Sequence, residues 1–196
     1  MNEQIKEGSS QLGVKTIIIG GKNVPRHTFV HALIPGESEE QAMKNSLDLV
    51  VKSYIDLNRT IKCQFWIKDC NEEEEEIEKF KGIYKVYYNF VSSLIFVYSV
   101  HDRNSFTLLR RSVEEIKKTV GIEGFKVILI GLINPMSRNK IEVNYSEGET
   151  LMKQEGFAEF METDMMESSA KNKILDFLCN RAESHGIKNK LKISDS

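Results

Sequence analysis

Residues 14–33 read VKTIIIGGKNVPRHTFVHAL, and the rest of the chain is organised around this stretch. Its first part is rich in β-branched residues, which predicts a buried strand that ends at Gly20. The middle part contains glycine, asparagine and proline and therefore predicts a loop. Apolar side chains then recur at helical spacing up to Ile34. A strand, a glycine-led loop and a helix in this order are the usual context of a phosphate-binding loop.

The remaining elements alternate between strands and helices. We predict strands at residues 14–20, 47–56, 60–67, 93–100, 126–131 and 158–161. We predict a helix after the loop that ends near Pro35, and further helices at residues 77–90, 105–120, 145–154 and 172–184. Residues 37–45 are polar and are expected to be irregular. The alternation predicts an α/β domain with a six-stranded, mostly parallel sheet and helices on both faces. Ligands of such sheets bind at the carboxyl ends of the strands, where the Gly20 loop lies.

The composition is that of an ordinary globular protein. The chain has 196 residues, of which 40% are hydrophobic and 29% are charged. Its net charge of -2 argues against nucleic acid as a partner. The three cysteines are widely spaced, which favours reduced thiols and a cytoplasmic location. We expect a flexible start at residues 1–12, one domain at 13–185 and a flexible tail at 186–196. The tail has no cysteine and few lysines, so we expect no stable membrane anchor.

Three local clusters invite a sharper interpretation. The run Glu72–Glu76 is predicted to be the solvated start of a helix, with a metal site as the alternative. His27 and His31 are four residues apart and could share a metal ion, but no third ligand is evident at a suitable spacing. Cys70 is interpreted as a plain loop cysteine, because no partnered histidine is indicated.

The run from residue 87 to residue 106 carries the clearest resemblance to a known family. Its paired tyrosines, apolar strand and Ser-Phe end resemble the corresponding run of Rab proteins. Residues 60–66 resemble the Rab strand that leads into switch II, and residues 126–131 resemble the strand that carries the guanine motif. Residues 167–171 read Glu-Ser-Ser-Ala-Lys and resemble the family's Glu-Thr-Ser-Ala-Lys. Over residues 14–185 the chain therefore resembles the Rab branch of the Ras superfamily, which implies the small-GTPase fold.

The phosphate loop departs from the pattern of that family. Gly20 matches the first glycine of the motif. Pro25, Arg26 and His27 stand where the resemblance places the second glycine, the lysine and the magnesium-binding serine or threonine. Proline has no N–H to donate to a phosphate, and the flat guanidinium differs from a compact ammonium. Imidazole is a poor ligand for a hard ion such as magnesium.

The switch and guanine motifs depart from the pattern as well. Lys44 stands where the resemblance places the switch I threonine. Two registers remain open for switch II. The first places Ile67 on the aspartate and Asn71 on the catalytic glutamine, and the shifted one makes Asp69 the aspartate. Residues 132–135 read Leu-Ile-Asn-Pro in place of the guanine-reading Asn-Lys-x-Asp.

From these matches we predict a vestigial nucleotide site with no catalytic residue and no metal ligand. Its residues are Gly20, Gly21, Lys22, Asn23, Val24, Pro25, Arg26, His27, Thr28, Ser169, Ala170 and Lys171. The candidates for contact with a partner are Leu49, Trp66 and Tyr87, which resemble the apolar and aromatic set through which Rab proteins meet effectors. Ordinary burial of these three side chains is an equally weighted interpretation.

Three functional hypotheses follow from the resemblance. The leading one is a pseudo-GTPase without a cofactor, a cytoplasmic module in vesicle trafficking or signalling that binds proteins through the switch-equivalent surface. The alternative is an unorthodox switch in which Lys22 and Arg26 hold the phosphates of GTP or GDP with magnesium, with weak or no hydrolysis. A true GTPase ranks last, because no residue remains to position the attacking water.

Overall fold

The structure is a computed structural model that describes residues 11–21, 23–42, 47–56, 59–70, 88, 91–122, 124–138, 140–165 and 167–180. Its strands are β1 (Gln11–Gly20), β2 (Glu39–Ala42), β3 (Leu47–Asp56), β4 (Arg59–Asp69), β5 (Ser93–Ser99), β6 (Lys126–Leu132) and β7 (Glu159–Thr163). Its helices are α1 (Arg26–Leu33), α2 (Arg103–Thr119), α3 (Tyr145–Glu155) and α4 (residues 168–180). The predicted helix at residues 77–90 lies outside the described residues, apart from Tyr88.

The strands form one sheet in the order β2-β3-β4-β1-β5-β6-β7. Strand β1 is central and pairs in parallel with β4 and β5, and β6 and β7 continue the parallel half. Strands β3 and β4, which are consecutive in the chain, form an antiparallel hairpin. The predicted α/β class with a mostly parallel sheet is therefore confirmed, although the described sheet has seven strands and not six.

The additional strand is β2, within the segment that we expected to be irregular. Its residues Glu39–Ala42 pair antiparallel with β3 at the edge of the sheet. The prediction was wrong here because Glu-Glu-Gln-Ala has neither the β-branched residues nor the alternation of a strand. The strand conformation of β2 therefore depends on its backbone hydrogen bonds with β3 and not on its own side chains.

The two faces of the sheet carry separate hydrophobic cores. Along β5, Ile95 and Val97 point to one face, while Leu94 and Phe96 point to the other. Helices α1 and α4 contribute apolar side chains to the first core, and α2 and α3 contribute to the second. Helices on both faces keep the central strands dry, as expected for parallel sheets.

The helix ends agree with the sequence except in α4. Asp102 caps α2, because its side chain accepts hydrogen bonds from the backbone N–H groups of Asn104 and Ser105. Gly156 ends α3 in the left-handed conformation with a φ of 69°. Helix α4 begins at residue 168, four residues earlier than predicted, because its polar first turn hides the helical period. Within the described part of the chain, no helix has the length and apolarity needed to cross a membrane.

Candidate functional site

The loop between β1 and α1 lies at the carboxyl end of the central strand. After Gly20 the chain turns, with the Val24 N–H donating to the Gly21 carbonyl at 2.9 Å. Helix α1 begins directly after Pro25, whose carbonyl accepts from the Phe29 N–H at 2.9 Å. Proline suits this position because the first N–H groups of a helix have no partner within the helix. The expected strand, loop and helix are thus in place.

The Arg26 side chain folds back into this loop. Its Nη1 donates to the Gly20 carbonyl at 2.7 Å and to the Lys68 carbonyl at 2.5 Å. Its Nη2 lies 3.3 Å from Oδ2 of Asp69, and the two side chains are only 10% and 18% exposed. One guanidinium therefore joins the end of β1 to the end of β4. The geometry uses the fork of arginine, which a lysine cannot reproduce.

Gly20 is required by close packing and not by its backbone conformation. A Cβ at this position would lie 2.6 Å from the Val97 carbonyl oxygen and 3.2 Å from Cδ of Arg26. The Gly20 carbonyl also accepts from the Cys70 N–H at 3.1 Å. The loop is thus packed from inside by the chain's own backbone and by Arg26.

The structure also distinguishes the two registers that the sequence left open for the acidic residue. Asp69 pairs with Gly20 in the ladder between β1 and β4, and its carboxylate reaches Arg26. Ile67 is 2% exposed and belongs to the core that α1 covers. The carboxylate at the mouth of the loop therefore comes from Asp69, which already has a cation beside it.

The other predicted loop residues point in several directions. Val24 is buried in the core, and Asn23, Pro25 and Thr28 are exposed, while Lys22 lies outside the described residues. His27 turns to β3, where its Nε2 lies 3.2 Å from Oδ2 of Asp48.

The two histidines of α1 contact different acidic side chains. His31 contacts Glu40 of β2 at 3.1 Å, whereas His27 contacts Asp48 of β3. Among the residues that the structure describes, no group of three or more histidine, cysteine or acidic side chains is arranged to hold a metal.

The cysteine at the loop is also unsuited to nucleophilic chemistry. Burial is the main cause that raises the pKa of the Cys70 thiol to about 11. The thiol is therefore protonated at neutral pH, whereas the thiolate is the reactive form.

The segments that resemble the guanine-binding motifs lie at the ends of β6 and β7. Asn134 closes its own turn, since its Oδ1 accepts from the Met136 N–H at 3.0 Å. Ser169 donates to Glu167, which also accepts from Thr163 at 3.0 Å, and these bonds lower the Glu167 pKa. Ala170 is buried in the core. Local hydrogen bonds thus use the polar groups of Asn134, Glu167 and Ser169, while Lys171 is half-buried in the same turn of α4.

Two of the three partner-contact candidates lie side by side. Leu49 of β3 and Trp66 of β4 are opposite each other in the antiparallel ladder, and both are half-buried. The Lys15 ammonium lies 4.7 Å from the centre of the Trp66 ring, and burial lowers the Lys15 pKa. Tyr87 lies outside the described residues. Cross-strand neighbours of this kind form a contiguous surface.

One notable residue was missed from the sequence. Lys52 of β3 is only 1% exposed, and its Nζ donates to the Gly36 carbonyl at 2.7 Å. The available signal was its position between Val50 and Tyr54, because alternate residues of a strand share a face. A lysine within an inward-facing row is unusual and indicates a specific acceptor.

Known proteins share the sequence pattern of this chain. A sequence model of the Ras family matches residues 15–184. The GTP-binding protein ypt1 of Schizosaccharomyces pombe is 24% identical over 159 residues, which cover 81% of this chain and 71% of that protein. The putative Ras-related protein Rab-5B of Dictyostelium discoideum is 23% identical over 174 residues, covering 86% and 75% of the two chains. The GTP-binding protein YPTM2 of Zea mays is 28% identical over 126 residues, covering 64% and 55%.

Proposed function

The chain belongs to the Ras family of small GTPases, and we propose that it serves there as a protein-binding module whose nucleotide site has degenerated. Members of the family bind GTP or GDP with magnesium. The observation that carries the proposal is the state of Arg26, whose guanidinium is committed to the Gly20 and Lys68 carbonyls and to Asp69. A cation that neutralises a carboxylate inside the loop is a poor receptor for phosphates.

The residues at the positions of the magnesium ligands do not fit a magnesium ion either. The imidazole of His27 replaces the hydroxyl ligand and is directed at Asp48. Magnesium prefers oxygen ligands in near-octahedral geometry. Among the described residues, Asp69 brings its carboxylate to the loop, where it contacts Arg26 and would have to exchange that contact for the metal.

The size of the combined loss supports negligible nucleotide affinity. Hydrogen bonds to charged groups contribute roughly 1.5–3 kcal/mol each. The resemblance implies about two lost bonds to guanine, about three lost magnesium contacts and one lost donor at Pro25. The sum for these six contacts is on the order of 9–18 kcal/mol, or roughly seven to thirteen decades in the dissociation constant. Such losses are not strictly additive, but even half of this sum would abolish tight binding.

The surface proposed for protein contact is the neighbouring pair Leu49 and Trp66, on the β3–β4 hairpin. Tryptophan is of the type that anchors protein interfaces, and Leu49 adds apolar area beside Trp66. The Rab resemblance makes vesicle trafficking the setting that we propose for such contacts.

Titration with a fluorescent GTP analogue in magnesium tests the proposal directly. We expect no saturable binding below about 100 μM, a weak limit in which the free energy of binding is less than about 6 kcal/mol. The ypt1 protein of Schizosaccharomyces pombe, whose name describes it as GTP-binding, is the positive control. Submicromolar binding to the present chain would refute the proposal.

A variant separates this proposal from an unorthodox nucleotide switch. If Arg26 holds phosphates in the protein, Arg26→Ala must weaken whatever nucleotide binding is observed. If Arg26 only ties the loop to β4, the same change leaves the titration flat. Binding that is present and lost in Arg26→Ala would therefore establish the switch in place of the binding module.

A further inference from the structure

The unpredicted strand β2 lies against the strand that carries the proposed contact surface. Gln41 of β2 is opposite Leu49 of β3, and Glu39 is opposite Val51. Because β2 is the outermost strand, it covers the edge that β3 would otherwise expose. An exposed strand edge is a template for an extended segment of another chain.

The sequence of the segment that covers this edge has little intrinsic preference for a strand. Its side chains at Glu39, Glu40 and Gln41 are exposed, so the strand buries little apolar surface. Strand order that depends mainly on backbone pairing opens locally at low free energy. Residues 36–42, which we name the strap, therefore need additional contacts to stay in place.

The strongest of these contacts comes from Lys52. Its buried ammonium donates to the carbonyl of Gly36, at the start of the strap. Lys52 directly follows Val51, the last β3 residue that pairs with β2. Gly36 has a φ of 101°, a conformation that favours glycine. Loss of the acceptor would leave a buried charged group without a hydrogen bond, which costs more free energy than the loss of an exposed bond.

A second contact is exposed and weaker. His31 of α1 lies 3.1 Å from Glu40, which also accepts from the Ser38 hydroxyl at 2.8 Å. Both side chains of this pair are more than one-third exposed, so solvent screens their attraction. The strap is thus held firmly at Gly36 and loosely along β2.

We propose that the strap is a displaceable cover over the outer edge of β3, and that the bond from Lys52 to Gly36 is its latch. The proposal rests on the protein-binding function proposed above. It adds that the chain itself covers the outer edge of β3, the strand that carries Leu49.

Hydrogen exchange of the full chain with Lys52→Met tests the latch. Methionine keeps much of the length of the side chain but removes the ammonium and its bond to Gly36. We expect the amides of residues 36–42 to exchange about tenfold faster or more, while β4 and β5 keep their protection. A role of Lys52 in overall folding would instead change the exchange of all strands together.

Two further variants make the result decisive. Gly36→Ala attacks the same bond from the loop, because alanine is strained at a φ of 101°. It should accelerate exchange in the same residues even if Lys52→Met does not fold. Lys62→Met is the matched control, since Lys62 lies on β4 opposite Ser53, beyond the part of β3 that pairs with β2. It should leave the strap unchanged.

The outcomes separate this inference from the proposed function. Unchanged exchange of residues 36–42 in both Lys52→Met and Gly36→Ala would overturn the latch. Unprotected exchange of these residues in the native chain would overturn the strap itself. Protection of the phosphate loop by added GTP with magnesium would refute the degenerate site but would leave the comparison of variants intact.

Discussion

At the scale of single residues, two ion pairs of the molecule offer a direct comparison. The pair of Arg26 and Asp69 is largely buried, whereas Lys153 and Glu149 of α3 form an exposed pair at 3.0 Å. Removing one partner of a buried pair leaves a desolvated charge, while exposed pairs contribute little. The free energy of unfolding of an Arg26 variant therefore tests whether Arg26 has a structural role.

We expect Arg26→Ala to lower the free energy of unfolding by about 2–4 kcal/mol. The control Lys153→Ala should change it by no more than about 0.5 kcal/mol. Urea unfolding at neutral pH measures both values. If Arg26 served to bind a phosphate and did not stabilise the fold, its removal would leave the free energy of unfolding nearly unchanged. An Arg26→Ala variant as stable as the native protein would therefore contradict our interpretation of the loop.

The identity of Arg26 was readable from the sequence, but its role was not. The substitution of arginine for lysine follows from the register of the loop alone. The contacts with Lys68 and Asp69 depend on the parallel pairing of β1 with β4, which joins residues more than 40 positions apart. Lys52 and Gly36 illustrate the same limit, since only the folded chain brings that donor to that acceptor.

At the scale of elements, strongly periodic segments were predicted well and polar ones were not. Strands β5 and β6 and helix α2 have clear apolar patterns, and their bounds were predicted to within about two residues. Strand β2 and the first turn of α4 are polar, so their order depends on neighbours that a local pattern cannot reveal. The strap that we propose therefore belongs to the part of the fold that the sequence did not disclose.

The packing of α3 on the sheet leads to a prediction for Gly148. A Cβ there would lie 2.3 Å from Cζ of Phe160 and 2.7 Å from the Tyr98 hydroxyl. Alanine favours a helix by about 1 kcal/mol, but overpacking a well-filled core costs about 1–3 kcal/mol and occasionally more. With contacts this close, we expect Gly148→Ala to destabilise the protein by at least about 1 kcal/mol.

Thermal unfolding with a matched glycine variant checks this prediction. Gly13 of β1 is exposed, and a Cβ added there would meet no atom within 4 Å, so Gly13→Ala should be neutral to within about 0.5 kcal/mol. If both variants unfolded at the native temperature, the close approach of α3 to β7 would be incorrect.

At the scale of the whole molecule, most of the residues that stabilise the small-GTPase fold differ from the residues of the nucleotide site. Two cores, one on each face of the sheet, contain most of the buried apolar side chains. Among the altered motif residues that the structure describes, Pro25, Arg26 and His27 lie at the start of α1, outside both cores. A chain can therefore keep the family's fold while its loops lose their ligand, because burial of apolar surface dominates stability.

This separation predicts that nucleotides will not stabilise the protein. A ligand at a thousandfold excess over its dissociation constant adds about 4.1 kcal/mol of stability. For a domain of this size, each kcal/mol shifts the melting temperature by about 2–4 °C. Millimolar GTP or GDP with magnesium would therefore raise the melting temperature by about 8–16 °C if the dissociation constant were about 1 μM. We expect a shift below about 1 °C, with the ypt1 protein as the responsive control, and a large shift would mean that the loop still holds phosphate despite the contacts of Arg26.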